Sequence, residues 1–515
     1  MLSITCYGAV QEIGGNKIFL HDGDTRLSFD FGTPFARRSQ FFEEYLKPRP
    51  GVGLLDPLYM GLIPPIEGIY RQDLLPTARF WERWRATSDY RRLTLDAVLL
   101  SHAHLDHSGY ISFLEPAIPI YCTTMTALVS RAVQDTGQPD FEAEVCYANI
   151  REPVDGLLRS AHVQQRRPFV PMDGVLELDG AFGFWQTSPG DGPLLPPLVS
   201  GCLKDTVGSL RVKHFPVDHS IFGACAFAVE TSEGLVAYTG DLRLHGGRQN
   251  ETRLFVERMS ELHPLALICE GTRADDAGGA TEEEVYDNAL REARSAKGLL
   301  VADFGPRNVE RLLTFLEIAR QTGRMLVITA RDAYLLEAMH LASPEQVPDI
   351  LTCSDVLIYR DRKVAPRLWE RDLLDRYGNR VANSAHIRED QGAYILCFSF
   401  WDVNDLIDIE PQGGTYIYSS SEAHREEQQL DLDRLRNWLH RLGMRFLGDP
   451  AGGPGGLHSS GHASALDLLE IIRTIAPRFL ITIHTEQPQY FVESLKGEEI
   501  KVVVPEYGQE IELTS

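Results

Sequence analysis

The stretch Ser101-His-Ala-His-Leu-Asp-His-Ser-Gly constrains this chain more than any other. It follows Leu95–Ser101, an apolar run that reads as a buried strand. His102 and His104 are two residues apart, so an extended backbone turns both to one side. Asp106 and His107 then lie on the turn into the next helix and face a second point nearby. Imidazole nitrogen and carboxylate oxygen are ligands of Zn²⁺ or Mn²⁺, and four such donors in one short loop suit two metals. Two metals need further ligands. His219 in Val217-Asp-His-Ser, Asp241 in Tyr238-Thr-Gly-Asp and His484 in Ile481-Thr-Ile-His each close a strand-like run. In α/β folds functional groups gather at the C-terminal ends of strands, so the four motifs are expected to converge.

The remainder of the chain reads as a soluble α/β protein. Of its 515 residues 43% are hydrophobic and 24% charged, which excludes a disordered or coiled-coil chain. None of the eight cysteines forms a C-x-x-C pair, which argues against a disulfide scaffold and fits a cytoplasmic location. The start has no basic segment ahead of a long apolar one, so no signal peptide is expected. Apolar runs of about nine residues fall well short of the ~20 that span a bilayer, so no membrane partner is expected. Lys17–Leu20 and Arg26–Phe31 around His-Asp-Gly-Asp suggest a hairpin. Residues 33–93 are Pro-rich and irregular and read as an insertion or lid. From about residue 262 strands alternate with helices, among them Glu282–Arg294, Asn308–Arg320, Ala333–Leu341 and Leu432–Leu442, which implies a parallel sheet. After a Gly/Pro loop at 448–456 come a helix, Ser464–Ile475, and a strand, Phe479–Ile483.

H-x-H-x-D-H, a later His, a Gly-Asp and a terminal His together resemble the metallo-β-lactamase superfamily. The resemblance implies an αβ/βα sandwich in which His102, His104 and His219 hold one metal and Asp106, His107 and His484 the other. Asp241 would bridge them, and Asp30, ending Leu27-Ser-Phe-Asp, would orient ligands from behind. Nearly half the chain separates Asp241 from His484, enough for a whole inserted α/β domain. That architecture is similar to the β-CASP subgroup of nucleases. Cys269-Glu270-Gly-Thr-Arg, Ser459-Ser-Gly-His462-Ala and Ile483-His484-Thr-Glu resemble its three further motifs, and histidine at the last of them favours RNA. The expected division is 1–260 for the first part of the sandwich, 261–445 for the β-CASP domain and 446–515 for the rest. Val217-Asp-His-Ser-Ile, Tyr238-Thr-Gly-Asp-Leu-Arg and His458-Ser-Ser-Gly-His462 are most similar to the ribonuclease J family. Departures from that family are Thr482 where proline is usual, residues 33–93, and an end soon after the final strands.

The implied chemistry is hydrolysis of RNA by a hydroxide shared between two divalent metals, Zn²⁺ first and Mn²⁺ second, leaving 5′-phosphate and 3′-hydroxyl ends. Asp106, Glu270 and His462 are the expected catalytic residues: Asp106 as ligand and proton acceptor, His462 at a helix start facing the phosphate or departing oxygen, Glu270 holding His462. His458, Ser459, Ser460 and Gly461 are the candidate phosphate or RNA contacts. Arg83, Arg85, Arg91 and Arg92 alternate with Trp81, Trp84 and Tyr90 and offer phosphate contacts with base stacking; Arg307 with Asn308, and Arg360, Arg362, Lys363 and Arg367, are further basic candidates. The expected partners are single-stranded RNA, with a 5′-monophosphate end as one form, and a second copy in a homodimer. The alternative is a hydrolase of a small ester, thioester or lactone. The balance of 50 Lys and Arg against 73 Asp and Glu, a charge of −23, weighs against general attraction to nucleic acid, so RNA would need a local positive groove.

Overall fold

The computed structural model describes residues 1–514 except 44, 175–178, 189–191, 199–205, 277, 350–351, 421–425 and 451–454. Cys202 and the middle of the Gly/Pro loop lie outside the described residues.

The expected hairpin forms, with Ile18–Asp22 antiparallel to Thr25–Phe29. It lies inside a seven-stranded sheet that runs from Phe169–Pro171 through Ile120–Cys122 and Ala97–Leu99 to Leu2–Cys6 and Glu510–Leu513. A second seven-stranded sheet contains Leu210–Pro216, Cys225–Glu230, Leu235–Tyr238, Ala266–Glu270, Phe479–Ile483 and Lys501–Val503. Phe29, Leu99, Phe227, Tyr238, Ile268 and Ile481 meet between the sheets as one apolar layer. Helix Thr124–Thr136 covers the outside of the first sheet through Leu128 and Ala132. Gln249–Leu262 and Ala465–Ile475 cover the second through Phe255, Met259, Leu468 and Ile472. The layers are therefore αβ/βα.

A third sheet is all parallel, ordered Val381–Ala382, Val356–Tyr359, Met325–Thr329, Tyr394–Cys397, Leu300–Asp303, Thr415–Tyr418 and Arg445–Leu447. Its strands carry apolar residues on both faces, as a sheet covered by helices on each side must. The helices form where apolar spacing and caps agree. Thr281 and Glu284 make a reciprocal capping box for Glu282–Ser295, and Asn308 caps Val309–Thr322. One boundary differs from expectation. Ala266–Glu270, assigned from the sequence to the second domain, pairs in parallel with Leu235–Tyr238 and Phe479–Ile483 of the sandwich. Buried parallel strands look alike in either domain, so sequence pattern does not distinguish them. The crossing therefore comes after Glu270.

Residues 33–93 are not a lid. Leu54, Leu58, Leu62, Ile63, Ile66, Ile69, Tyr70 and Leu74 are buried in the largest core cluster, together with Trp81 and Trp84. At 6% and 7% exposure those two tryptophans have no free face for a base, so the expected stacking platform does not exist. Arg85 and Tyr90 are bound to Glu67, and Arg362, Lys363 and Arg367 are likewise bound within the protein. The segment is fastened by Arg71, fully buried, which reaches Asp73 at 2.7 Å, Glu144 at 2.5 Å and the Asn149 carbonyl at 2.8 Å. Removing one partner of such a network strands buried charge. Arg71→Met is expected to cost roughly 3–5 kcal/mol of stability, read as a lower denaturant midpoint with an unchanged slope.

Candidate metal centre

The loop after Ala97–Leu99 carries His102 and His104, the latter in extended conformation, and helix Leu105–Ser108 carries Asp106 and His107. His219 follows Leu210–Pro216, Asp241 follows Leu235–Tyr238, and His484 follows Phe479–Ile483. All seven expected ligands converge. Nδ1 of His104 lies 3.1 Å from Nε2 of His102 and 3.1 Å from Nε2 of His219. Oδ2 of Asp241 is 3.6 Å from the former and 3.8 Å from the latter. In a tetrahedral zinc site with ligands at ~2.0–2.1 Å, donor atoms stand about 3.3–3.4 Å apart, so this group has the right size. The second group has Nε2 of His484 3.3 Å from Oδ2 of Asp106, and Nε2 of His107 3.9 Å from the same oxygen. Oδ2 of Asp241 is also 3.1 Å from Nε2 of His107, so one carboxylate faces both groups.

Hydrogen bonds behind the ligands set their tautomers. Nδ1 of His107 donates to Asp30 at 2.7 Å, Nδ1 of His102 to the Ser101 hydroxyl at 3.0 Å, Nδ1 of His219 to the Gly461 carbonyl at 2.5 Å and Nδ1 of His484 to the Thr272 hydroxyl at 2.8 Å. Each of these four rings therefore turns an Nε2 lone pair inward. Nε2 of His107 and Oδ1 of Asp241 are buried with no hydrogen-bond partner. Several lone pairs crowded around unpartnered polar atoms repel unless cations lie among them, and the donor set fits two divalent ions. Burial first, then neighbouring histidines, hold His102 and His219 well below the ordinary imidazole pKa, which keeps them neutral as ligands. Burial acts the same way on His107, but Asp241, Asp30 and Asp106 outweigh it and push its pKa well up, so this ring offers its Nε2 lone pair only where a cation replaces the proton.

Asp30 is a hub, as expected of a residue orienting ligands. It also accepts from the Ser101 amide at 2.7 Å, the Ser101 hydroxyl at 2.8 Å and the Tyr238 hydroxyl at 2.5 Å. Asn16 donates in turn to Tyr238 at 2.9 Å. Ser101, Tyr238 and Thr272 lie inside the quoted motifs, but their roles, and Asn16 altogether, were not foreseen. Gly14 is another such residue. Its φ is +80°, and a Cβ there would lie 2.8 Å from Cβ of Asp106. Gly14→Ala is expected to displace Asp106 and lower turnover about 10²-fold, with an unchanged far-UV spectrum and a rate assay as the check.

Glu270 and His462 meet at the rim. Nδ1 of His462 is 2.9 Å and 3.1 Å from the two Glu270 oxygens, and Leu242 N–H donates to Glu270 at 2.9 Å. Burial favours the neutral ring of His462, but Glu270 and then Asp241 outweigh it and raise its pKa to about 9. His462 does not open a helix: that helix begins at Ala465, with Ser464 as its cap. Its position comes from Glu270 and from its amide donating to the Ser460 hydroxyl at 3.1 Å. Ser460 and Gly461 have their carbonyls engaged by Arg243 and His219, respectively. The Ser459 hydroxyl is buried without a partner, and His458 lies 3.4 Å from the Ser419 carbonyl.

Residues 456–505, which include His458 to His462 and His484, match the RMMBL family, described as the Zn-dependent metallo-hydrolase RNA specificity domain. The chain is 23% identical over 414 residues to ribonuclease J of Sinorhizobium meliloti, covering 77% of this chain and 58% of that protein. It is 22% identical over 401 residues to ribonuclease J of Pyrococcus abyssi, covering 76% and 74%. To ribonuclease J of Mycolicibacterium smegmatis it is 23% identical over 495 residues, covering 94% and 68%. The chain thus spans little more than half of the first of these relatives. A solved structure of a protein of unknown function from Enterococcus faecalis V583 superposes with a TM-score of 0.65 at 22% identity over 99% of both chains. The chain is ribonuclease J-like, with a metallo-β-lactamase fold and an inserted β-CASP domain.

Proposed function

We propose that this ribonuclease J-like chain is a metal-dependent ribonuclease that hydrolyses phosphodiester bonds of single-stranded RNA, leaving 5′-phosphate and 3′-hydroxyl ends. The carrying observation is Oδ2 of Asp241, which lies 3.1 Å from the His107 nitrogen and 3.6 Å from the His102 nitrogen, between the two donor groups. The RNA-specificity family matched at 456–505 supports RNA as the polymer. His102, His104, His219 and Asp241 would hold one ion, and Asp106, His107, His484 and Asp241 the other, with Zn²⁺ the better fit and Mn²⁺ second. Two such ions lower the pKa of a water and offset the charge of a phosphodiester.

The chain's own groups supply the rest. Asp106 accepts a proton from the attacking water. His462, with Nδ1 bound to Glu270, presents Nε2 to the 3′ oxygen that departs and gives it a proton. Asp30, Ser101 and Thr272 keep the ligand rings in register. The inserted domain reaches the site through Arg307, which donates to the Ala103 carbonyl at 3.3 Å, and Glu270 and His462 stand ready for a leaving alkoxide. A small ester, thioester or lactone needs neither, which disfavours that reading. The test is one gel: end-labelled 5′-monophosphate RNA, 5′-triphosphate RNA and DNA, each with Mn²⁺ or Zn²⁺. Cleavage of RNA with 5′-phosphate products is expected. Turnover of a chromogenic lactam or thioester with all three polymers intact would overturn the proposal.

A further inference from the structure

Where the inserted sheet meets the sandwich beside His102 and His104 stands a cation that the chemistry above leaves unused. Arg307 lies between strand Leu300–Asp303 and helix Val309–Thr322, on the C-terminal edge of the parallel sheet. The Asn308 side chain caps that helix by accepting from the Arg311 amide at 3.0 Å, which leaves Arg307 just outside the cap. From there its Nη1 crosses to the other domain and donates to the carbonyl of Ala103 at 3.3 Å. Ala103 is the residue between the ligands His102 and His104. The charge is felt at the site: Arg307 is among the groups that hold His104 down, and Asp106 opposes the burial that lowers Arg307 itself.

Other arginines around the site are neutralised. Arg243 is paired with Asp218, Glu282 and Glu310, Arg311 with Glu282, and Arg273 with Asp276. Among the described residues no carboxylate lies within ion-pair distance of Arg307. A guanidinium has five N–H donors in a fork matched to phosphate, and this half-buried one makes a single long bond to a carbonyl. A chain of charge −23 has little general attraction for RNA, so its phosphate contacts must be local.

We propose that Arg307 binds a backbone phosphate next to the scissile one, so that the inserted domain selects a polynucleotide over an isolated phosphodiester. This rests on the ribonuclease reading. The experiment compares wild type, Arg307→Ala and Arg307→Lys on a 5′-monophosphorylated oligoribonucleotide and on thymidine 5′-monophosphate p-nitrophenyl ester, which has one phosphodiester. Bound metal is measured alongside. Arg307→Ala is expected to raise KM for the oligonucleotide about tenfold or more and to reduce the salt slope of binding by about 0.7. Turnover of the small diester and metal content should stay within about twofold, since one phosphate contact outside the reacting group is lost. The lysine variant should recover part of the KM, because it restores charge without the fork. An unchanged KM and salt slope overturn the proposal. Equal losses on both substrates, or lost metal, also overturn it, because Arg307 would then be a prop for the His102–His104 loop. A wild type that cuts neither substrate removes the ribonuclease reading itself, and the proposal with it.

Discussion

Asp241→Ala is expected to lower RNA cleavage by at least about 10³-fold, roughly 4 kcal/mol of transition-state stabilisation, and bound metal from two ions per chain to one or none. Oδ2 of Asp241 lies within 3.1–3.8 Å of the inward nitrogens of His107, His102 and His219, and Oδ1 lies 3.9 Å from that of His484. Among the described residues no other carboxylate faces both groups so closely. Without it, two dications would be offset by the single carboxylate of Asp106, and each ion would lose a ligand. Metal content by elemental analysis and cleavage by gel assay check the two parts. Thermal melts add a third readout, because an ion bound to the folded state alone stabilises it. A chelator should lower the wild-type melting midpoint by more than that of the variant. A variant that keeps two ions and cuts RNA at the wild-type rate would sink the two-metal reading.

The convergence on this loop was legible in the sequence because four of the candidate ligands fall within six residues after a buried strand. His219, Asp241 and His484 were legible because each ends an apolar run, and strand ends converge in this class of fold. What supports them was not. Ser101 and Tyr238 open two of the quoted motifs, yet only the pairing of Thr25–Phe29 with Ala97–Leu99 brings Asp30 to Ser101. Packing of the second sheet against the first brings Tyr238 to Asp30. Residues 33–93 misled because proline and short 3₁₀ turns hide an apolar pattern that has neither helical nor strand period. There Trp81 and Trp84 serve the core, and their alternation with arginine is coincidental to binding. Sequence spacing also set His462 at a helix start, whereas Ser464 competes better for the cap.

His462→Ala carries the second large effect: the rate constant for RNA should fall about 10²–10⁴-fold, with both ions still bound and RNA affinity near wild type. Its Nδ1 is held by Glu270 at 2.9 Å, so Nε2 is the nitrogen left for another partner, and lost metal in the variant would make that partner an ion. Nε2 is then the atom that gives its proton to the departing 3′ oxygen. The distinguishing substrate is one whose leaving group needs no proton. A p-nitrophenyl phosphodiester departs as a stable anion, so His462→Ala should slow it less than about tenfold, as expected when only proton donation is lost. Equal slowing of both substrates would instead make His462 a contact to the phosphate. Glu270→Gln tests the support. Glu270 also accepts from Thr272 at 2.7 Å, and the Thr272 hydroxyl accepts from the candidate ligand His484, so this variant touches that ring as well as His462. If Glu270 acts through His462, the double variant should cleave RNA no more slowly than His462→Ala alone, because removing the support of an absent ring changes nothing further. A double variant slower by the product of the two single effects would place Glu270 at the metal centre, acting through Thr272 and His484.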